Sequence, residues 1–215
     1  MYTKSVNQKT LPITIEKRRY NEALGEGLTF FVFSVFLTHY ASLYAKIRAS
    51  NPVDDLILSN VRVFNFETIF VHGAIALTLF MIVLCIKYYK GAPYILKTIA
   101  LFISTRALFV MLTHIAPFPT SLDLDSNLLN FITSGNDLFF SGHTGLPFLI
   151  ALMFWEHKYL KTLFLFCSVL FGSVALLAHL HYSIDVFAAF FITHSLYTIS
   201  KKIFRYDYEH FEKTL

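Results

Sequence analysis

Asn136-Asp137-Leu138-Phe139-Phe140-Ser141-Gly142-His143-Thr144 leads into an apolar run, Leu146 to Trp155, that is too short to cross a bilayer alone. A spanning helix needs about 20 apolar residues. The run reaches that length only by starting near Leu138, with the Ser-Gly-His-Thr stretch inside the helix. The expected count of six spans rests on this segment. Downstream, one apolar run away, lies a second polar cluster, His179-Leu180-His181-Tyr182-Ser183-Ile184-Asp185-Val186. Polar groups at the ends of hydrophobic spans are costly unless they are paired or used for chemistry. The two clusters therefore mark the place to look for a site.

The surrounding composition belongs to a membrane. Of 215 residues, 55% are hydrophobic and 15% charged, with 24 Phe. Mean hydropathy is +0.56. A soluble domain carries nearer a quarter charged residues, which excludes a soluble globular class. Cys85 and Cys167 sit inside apolar runs, so no disulfide framework is expected. Met1 to Tyr20 is polar and basic, with no apolar core of a cleavable signal.

The expected fold is all-α: a polytopic bundle of six transmembrane helices with both termini cytoplasmic. The helices are expected over roughly Leu28–Ala45, Thr68–Tyr88, Ile95–Ile115, Leu138–Trp155, Thr162–Ala178 and Ile184–Ile203. Three parts follow: a basic segment over 1–27, a membrane domain over 28–205 and a tail over 206–215. Leu11 to Leu24 reads equally as a short interfacial helix after Pro12 or as a basic tail. Orientation follows from Lys and Arg. The N-terminus, the loops after helices two (with Lys97) and four, and the C-terminal tail hold fourteen of the 18; the opposite side holds only Lys46, Arg48 and Arg62. The basic side faces the cytoplasm. The segment from Pro117 to Ser141, with Asp123, Asp125 and Asp137 and no Lys or Arg, then faces the exoplasm, as do His143, His181 and Asp185.

His181 and Asp185 are four apart, one face of a helix. A carboxylate on one imidazole nitrogen fixes the tautomer and leaves the other as acceptor or nucleophile. The same pair also reads as a cap on helix six. His143 follows Ser141 and Gly142. Glycine permits close backbone approach, and helix-start N–H groups favour an anion. Ser141 equally reads as an ordinary N-cap. Pro147 cannot donate to the His143 carbonyl, which weakens the helix there. Arg106 is the one Arg or Lys expected deep within a helix, with Thr113 two turns along the same face. It needs an anion: a phosphate, or a carboxylate from Glu26, Glu67 or Asp137. A nucleophile with an orienter, a second His for the leaving oxygen, and donors for phosphoryl oxygens are what phosphoryl transfer requires. A metal site from His143, His179, His181 and Asp185 is the other reading of these letters.

At the level of motifs the chain resembles sphingomyelin synthases. Asp137-Leu138-Phe139-Phe140-Ser141-Gly142-His143-Thr144 is similar to their Gly-Asp-x-x-Phe-Ser-Gly-His-Thr motif. Ala178-His179-Leu180-His181-Tyr182-Ser183-Ile184-Asp185-Val186 is similar to their Ala-His-x-His-Tyr-Thr-x-Asp-Val motif. Arg106, Thr113, Pro117 and Pro119 resemble an Arg-x6-Thr…Pro-x-Pro segment, with one residue inserted. Asn136 stands where that family has Gly, and Gly135 where it has Cys.

The family lies in the broader type-2 phosphatidic acid phosphatase superfamily. The resemblance implies His181 as a nucleophile forming phospho-His, Asp185 as its orienter and His143 as general acid and base. Arg106, Ser141, Gly142, Asp137 and His179 are the residues expected around the substrate phosphate. The resemblance implies no metal and no cofactor. The implied partners are a membrane phospholipid donor and a lipid alcohol acceptor such as ceramide or diacylglycerol, or water, and not nucleic acid. Phosphatases of the superfamily carry an Arg six residues before the nucleophilic His, where this chain has Ala175. The expected activity is an integral-membrane lipid phosphotransferase; the alternative is a lipid phosphate phosphatase acting on monoesters. A non-enzymatic transporter or membrane scaffold gives no reason for two His and an Asp to converge.

Overall fold

The computed structural model describes residues 13–122 and 138–215, with side chains described from Arg19 onward. The described residues hold seven α-helices: α1 (Ile13–Arg48), α2 (Glu67–Lys87), α3 (Ala92–Thr113), α4 (Gly142–Met153), α5 (Lys158–Leu177), α6 (Ser183–Ile203) and α7 (Arg205–Glu212). A short 3₁₀ turn, Tyr89–Gly91, joins α2 to α3. Five of these helices, α1, α2, α3, α5 and α6, are long and apolar enough to cross a membrane. Their outward faces expose Phe33, Phe36, Leu79, Ile86, Phe166 and Phe191. Such a girdle suits lipid and would be an aggregation hazard in water.

Two expected helix starts are corrected. Helix one was expected from about Leu28, and α1 runs unbroken for 36 residues from Ile13. Helix four does not begin near Leu138. It begins at Gly142 and ends after twelve residues. Ser141 stops it from extending further back: its hydroxyl accepts from the Thr144 N–H and Oγ1, the N-cap arrangement. At 1.5 Å per residue, α4 is about 18 Å long, well under the roughly 30 Å of a bilayer core. It survives because protein surrounds it. Thr144, Gly145, Pro147 and the run from Leu149 to Met153 are buried, and α4 packs on α5, α6 and α3. Non-spanning backbone at membrane depth is tolerated under such cover.

The two ends of the bundle differ. At one end the α1–α2 loop, the segment after α3 and the α5–α6 link are tied by backbone hydrogen bonds: Ser50 N–H to His114 O (3.0 Å), Phe64 N–H to Leu177 O (2.8 Å) and Ser141 N–H to Asp185 O (3.1 Å). The other end is closed by α7. Phe211 enters the core beside Tyr94 and Phe154, and a Cβ on Gly91 would lie 2.4 Å from its ring. Lys97, counted with the flank of the loop after helix two, is buried near the start of α3, with Nζ 2.7 Å from both Glu26 and Asp207. Glu26, one carboxylate open to Arg106 in sequence, is thus bound by Lys97.

Candidate active site

The site is built where α3, α4 and α6 meet. Arg106 lies in the second half of α3 and its Nε donates to the Phe140 carbonyl at 2.8 Å. That carbonyl stands just ahead of α4, so the guanidinium is drawn along the helix start. Gly142 makes the approach possible. A Cβ there would sit 3.1 Å from Arg106 Nε and 3.4 Å from Cδ. The glycine thus serves a close approach by a side chain of this protein, and the guanidinium stands against the amide end of α4.

His143 is the next residue. Its ring lies on Phe70 of α2, centroids 3.9 Å apart and 33° between planes, with Phe171 of α5 at 6.2 Å. Phe70 belongs to a buried apolar cluster with Val174, Ala175 and Val186, so the imidazole is held from the helix side by packing. The Ser141 N–H bonds the Asp185 carbonyl at 3.1 Å, which brings the start of α4 beside the α5–α6 link. Below His143, Ser168 donates to the Thr144 carbonyl at 2.7 Å. Gly145 lets Phe102 and Thr193 crowd the helix, since a Cβ there would meet them at 2.9 and 2.8 Å.

His181 sits in the link between α5 and α6, and how α5 ends decides its position. Ala178 is the C-cap. His179 then takes a left-handed backbone, φ 55°. Its N–H bonds the Leu176 carbonyl at 3.1 Å and the Leu180 N–H bonds Ala175 at 2.9 Å. This is a Schellman termination with His in the position that glycine usually fills. The His179 ring is fixed from outside by Thr120 Oγ1 on Nδ1 and by Phe118, 5.5 Å away. Sequence reading grouped His179 with phosphate-binding residues; its visible work is to turn the chain, while its buried Nε2 has no hydrogen-bond partner.

Two residues on, His181 is buried, with Nδ1 3.5 Å from Asp185 Oδ2. The pair is close, yet the geometry is not that of a hydrogen bond and Nδ1 has no other partner. Asp185 Oδ2 instead accepts the Tyr182 N–H at 2.9 Å. Asp185 thus caps α6 and stands beside His181 without bonding it. Tyr182 is braced in turn, its hydroxyl donating to Ala116 O at 2.9 Å and accepting from Val53 N–H at 3.3 Å.

Ser141, Gly142, His143, His181, Asp185 and Arg106 are thus assembled at one end of the bundle. Thr113 is not an anion donor, as its hydroxyl is spent on Phe109 O at 2.8 Å. Asp137 lies outside the described residues. Among the described residues no group of three or more His, Cys, Asp or Glu gathers closely enough to hold a metal ion. Asp55 and Phe70 are the two site-forming residues that sequence reading missed. A neighbouring cleft of about 370 Å³ is lined by Asp55, Thr113, Leu138, Phe139, Tyr182 and Asp185.

No curated protein and no solved structure matches the chain. One family model does, over about a third of the length: residues 134–202 match the one described as PAP2 superfamily C-terminal. Arg106 falls outside the matched stretch. The segment that carries Ser141, Gly142, His143, His181 and Asp185 in this membrane-helix protein is thus similar to the C-terminal domain of the PAP2 superfamily.

Proposed function

We propose that the protein is a lipid phosphotransferase of the sphingomyelin synthase type, acting on the phosphodiester of a membrane phospholipid through phospho-His181. Both termini are cytoplasmic and the site opens to the exoplasmic side, as the Lys and Arg bias of the loops argues. His181 Nε2 attacks phosphorus while Asp185 holds the Nδ1–H side. The bond from phosphorus to the glycerol oxygen breaks, and protonated His143 gives its proton to that oxygen, releasing diacylglycerol. Neutral His143 then takes the proton of an incoming alcohol, whose oxygen attacks phosphorus as the P–N bond breaks. Arg106 and the amide end of α4 neutralise the phosphoryl oxygens in both steps.

The observation that carries this reading is the convergence of His143, the His181–Asp185 pair and Arg106 at one end of an apolar bundle. One feature favours transfer over monoester hydrolysis. Ala175, where the superfamily's phosphatases carry an Arg, is fully buried among Phe70, Val174 and Val186, so no cation is supplied there for a dianion.

The test is a lipid panel. Purified protein in liposomes is given labelled phosphatidylcholine, phosphatidylethanolamine and phosphatidic acid, each with and without ceramide. Turnover of a diester lipid that rises when the alcohol is supplied is the expected result. Phosphatidic acid consumed faster than every diester, with free phosphate as the sole product, would make the protein a phosphatase and end the transferase reading.

A further inference from the structure

We propose that Asp55, in the loop between α1 and α2, is a positioning residue that sets the geometry of the His181–Asp185 pair. The inference rests on the reading of His181 as nucleophile. It starts from one carboxylate with four short contacts. Oδ1 accepts the N–H groups of Ile57 (2.9 Å) and Leu58 (3.0 Å). Oδ2 accepts the N–H (2.7 Å) and the hydroxyl (2.8 Å) of Ser183. Asp55 is buried, and an ionised carboxylate has about four acceptor sites, so its whole capacity is spent on these donors.

The placement of the donors matters. Ser183 is the first residue of α6, two after His181 and two before Asp185. Asp185 reaches back to the Tyr182 N–H, and Asp55 takes the next N–H along the chain. Two carboxylates therefore hold consecutive amides of the turn that carries His181. His181 lacks a hydrogen bond of its own on Nδ1, so its angle to Asp185 depends on that turn. Val53 N–H on the Tyr182 hydroxyl adds a second tie from the same loop. Leu58 packs against Tyr182 and Leu138, which anchors the loop in the core.

Asn cannot replace Asp55. Its amide has one acceptor oxygen and an NH₂, so either the Ile57 and Leu58 N–H groups or the Ser183 N–H would face another donor. A shift of the turn approaching 1 Å costs about 10²-fold in rate. Ser183→Ala removes only the hydroxyl and leaves the N–H in place, so a fall of only a few-fold is expected.

The experiment measures kcat and KM for Asp55→Asn, Ser183→Ala and the double variant in liposomes, with His181→Ala alongside and the folded fraction of each set by size exclusion. The expected result is a fall in kcat of about 10²-fold for Asp55→Asn with KM within about threefold, and little further loss in the double variant. Wild-type kcat in Asp55→Asn, or a loss that matches only the missing folded protein, overturns the proposal. If Asp55→Asn does not insert, Ser183→Ala decides: a kcat loss at unchanged folded fraction supports the role and wild-type kcat refutes it. An active His181→Ala would instead refute the nucleophile reading, a result distinct from any outcome at Asp55.

Discussion

Replacing Gly142 by Ala sets the stability of α4 against the position of Arg106. Gly142 is the first residue of the helix. Alanine in a helix is favoured over glycine by at most about 1 kcal/mol. The new Cβ would stand 3.1 Å from Arg106 Nε, 3.4 Å from Cδ and 3.5 Å from Cζ. Ordinary contact would require the guanidinium to retreat by a few tenths of an ångström. That strains the 2.8 Å bond from Nε to Phe140 O; a hydrogen bond from a charged donor contributes about 1.5–3 kcal/mol. The fold keeps its stability within about 1 kcal/mol, since a flexible side chain absorbs the clash. The reaction does not, because a shift of ~0.5 Å in a phosphoryl-binding group costs about tenfold in rate. The assay is diester turnover in liposomes beside thermal unfolding for Gly142→Ala, Arg106→Ala and the double variant. If glycine acts through Arg106, Gly142→Ala has no further effect once the guanidinium is gone. Full activity in Gly142→Ala, or an equal loss in the Arg106→Ala background, refutes the reasoning.

His181→Ala and His143→Ala should abolish turnover in protein that still inserts, and Asp185→Asn should slow it by about 10²–10⁴; near-normal turnover in His181→Ala ends the phospho-His scheme. Lys97→Met should destabilise the protein by about 3 kcal/mol, because it leaves Asp207 buried without its cation, and Asp207→Asn on top should recover part of that loss in a denaturation midpoint. Burial raises the Asp55 carboxyl pKa, but hydrogen bonds from Leu58, Ser183 and Ile57 outweigh it and hold the group below its ordinary 3.8. Its contribution to stability is therefore complete above pH 3.8 and disappears as pH falls through the lower folded value; Asp55→Asn should flatten that acid limb of an unfolding curve. Exhaustive chelation should leave the turnover rate unchanged; loss of activity restored by zinc would point to a metal site instead.

The residues at the heart of the site were legible because they break an apolar pattern. Arg106, His143, His181 and Asp185 are polar letters inside or beside hydrophobic runs, and such letters need a reason to be there. Ser141 signalled a cap, and the cap is where α4 starts. The length of α4 was not legible, since Leu138, Phe139 and Phe140 are as apolar as a helix interior and only the hydroxyl of Ser141 tells the chain to turn. Asp55 was hidden for a different reason. It stands next to Asp54 in a polar loop, where a carboxylate is unremarked, and its partner Ser183 is 128 residues away. The burial of Lys97 was not legible, because the two carboxylates that hold it, Glu26 and Asp207, come from opposite ends of the chain. That His179 ends α5 is visible only in its backbone dihedral.

The level of His143 has an electrical meaning. The Ser141 N–H bonds the Asp185 carbonyl at 3.1 Å, and Asp185 is the third residue of the 21-residue α6, a helix about 31 Å long. On the proposed orientation the site therefore stands close to the exoplasmic end of the transmembrane field. Moving one elementary charge across the whole field is worth about 2.3 kcal/mol per 100 mV, and a proton or phosphate charge reaching His143 would cross little of it. Turnover in a vesicle with an imposed potential should then be nearly independent of voltage; a several-fold change per 100 mV would put the reacting groups well inside the bilayer.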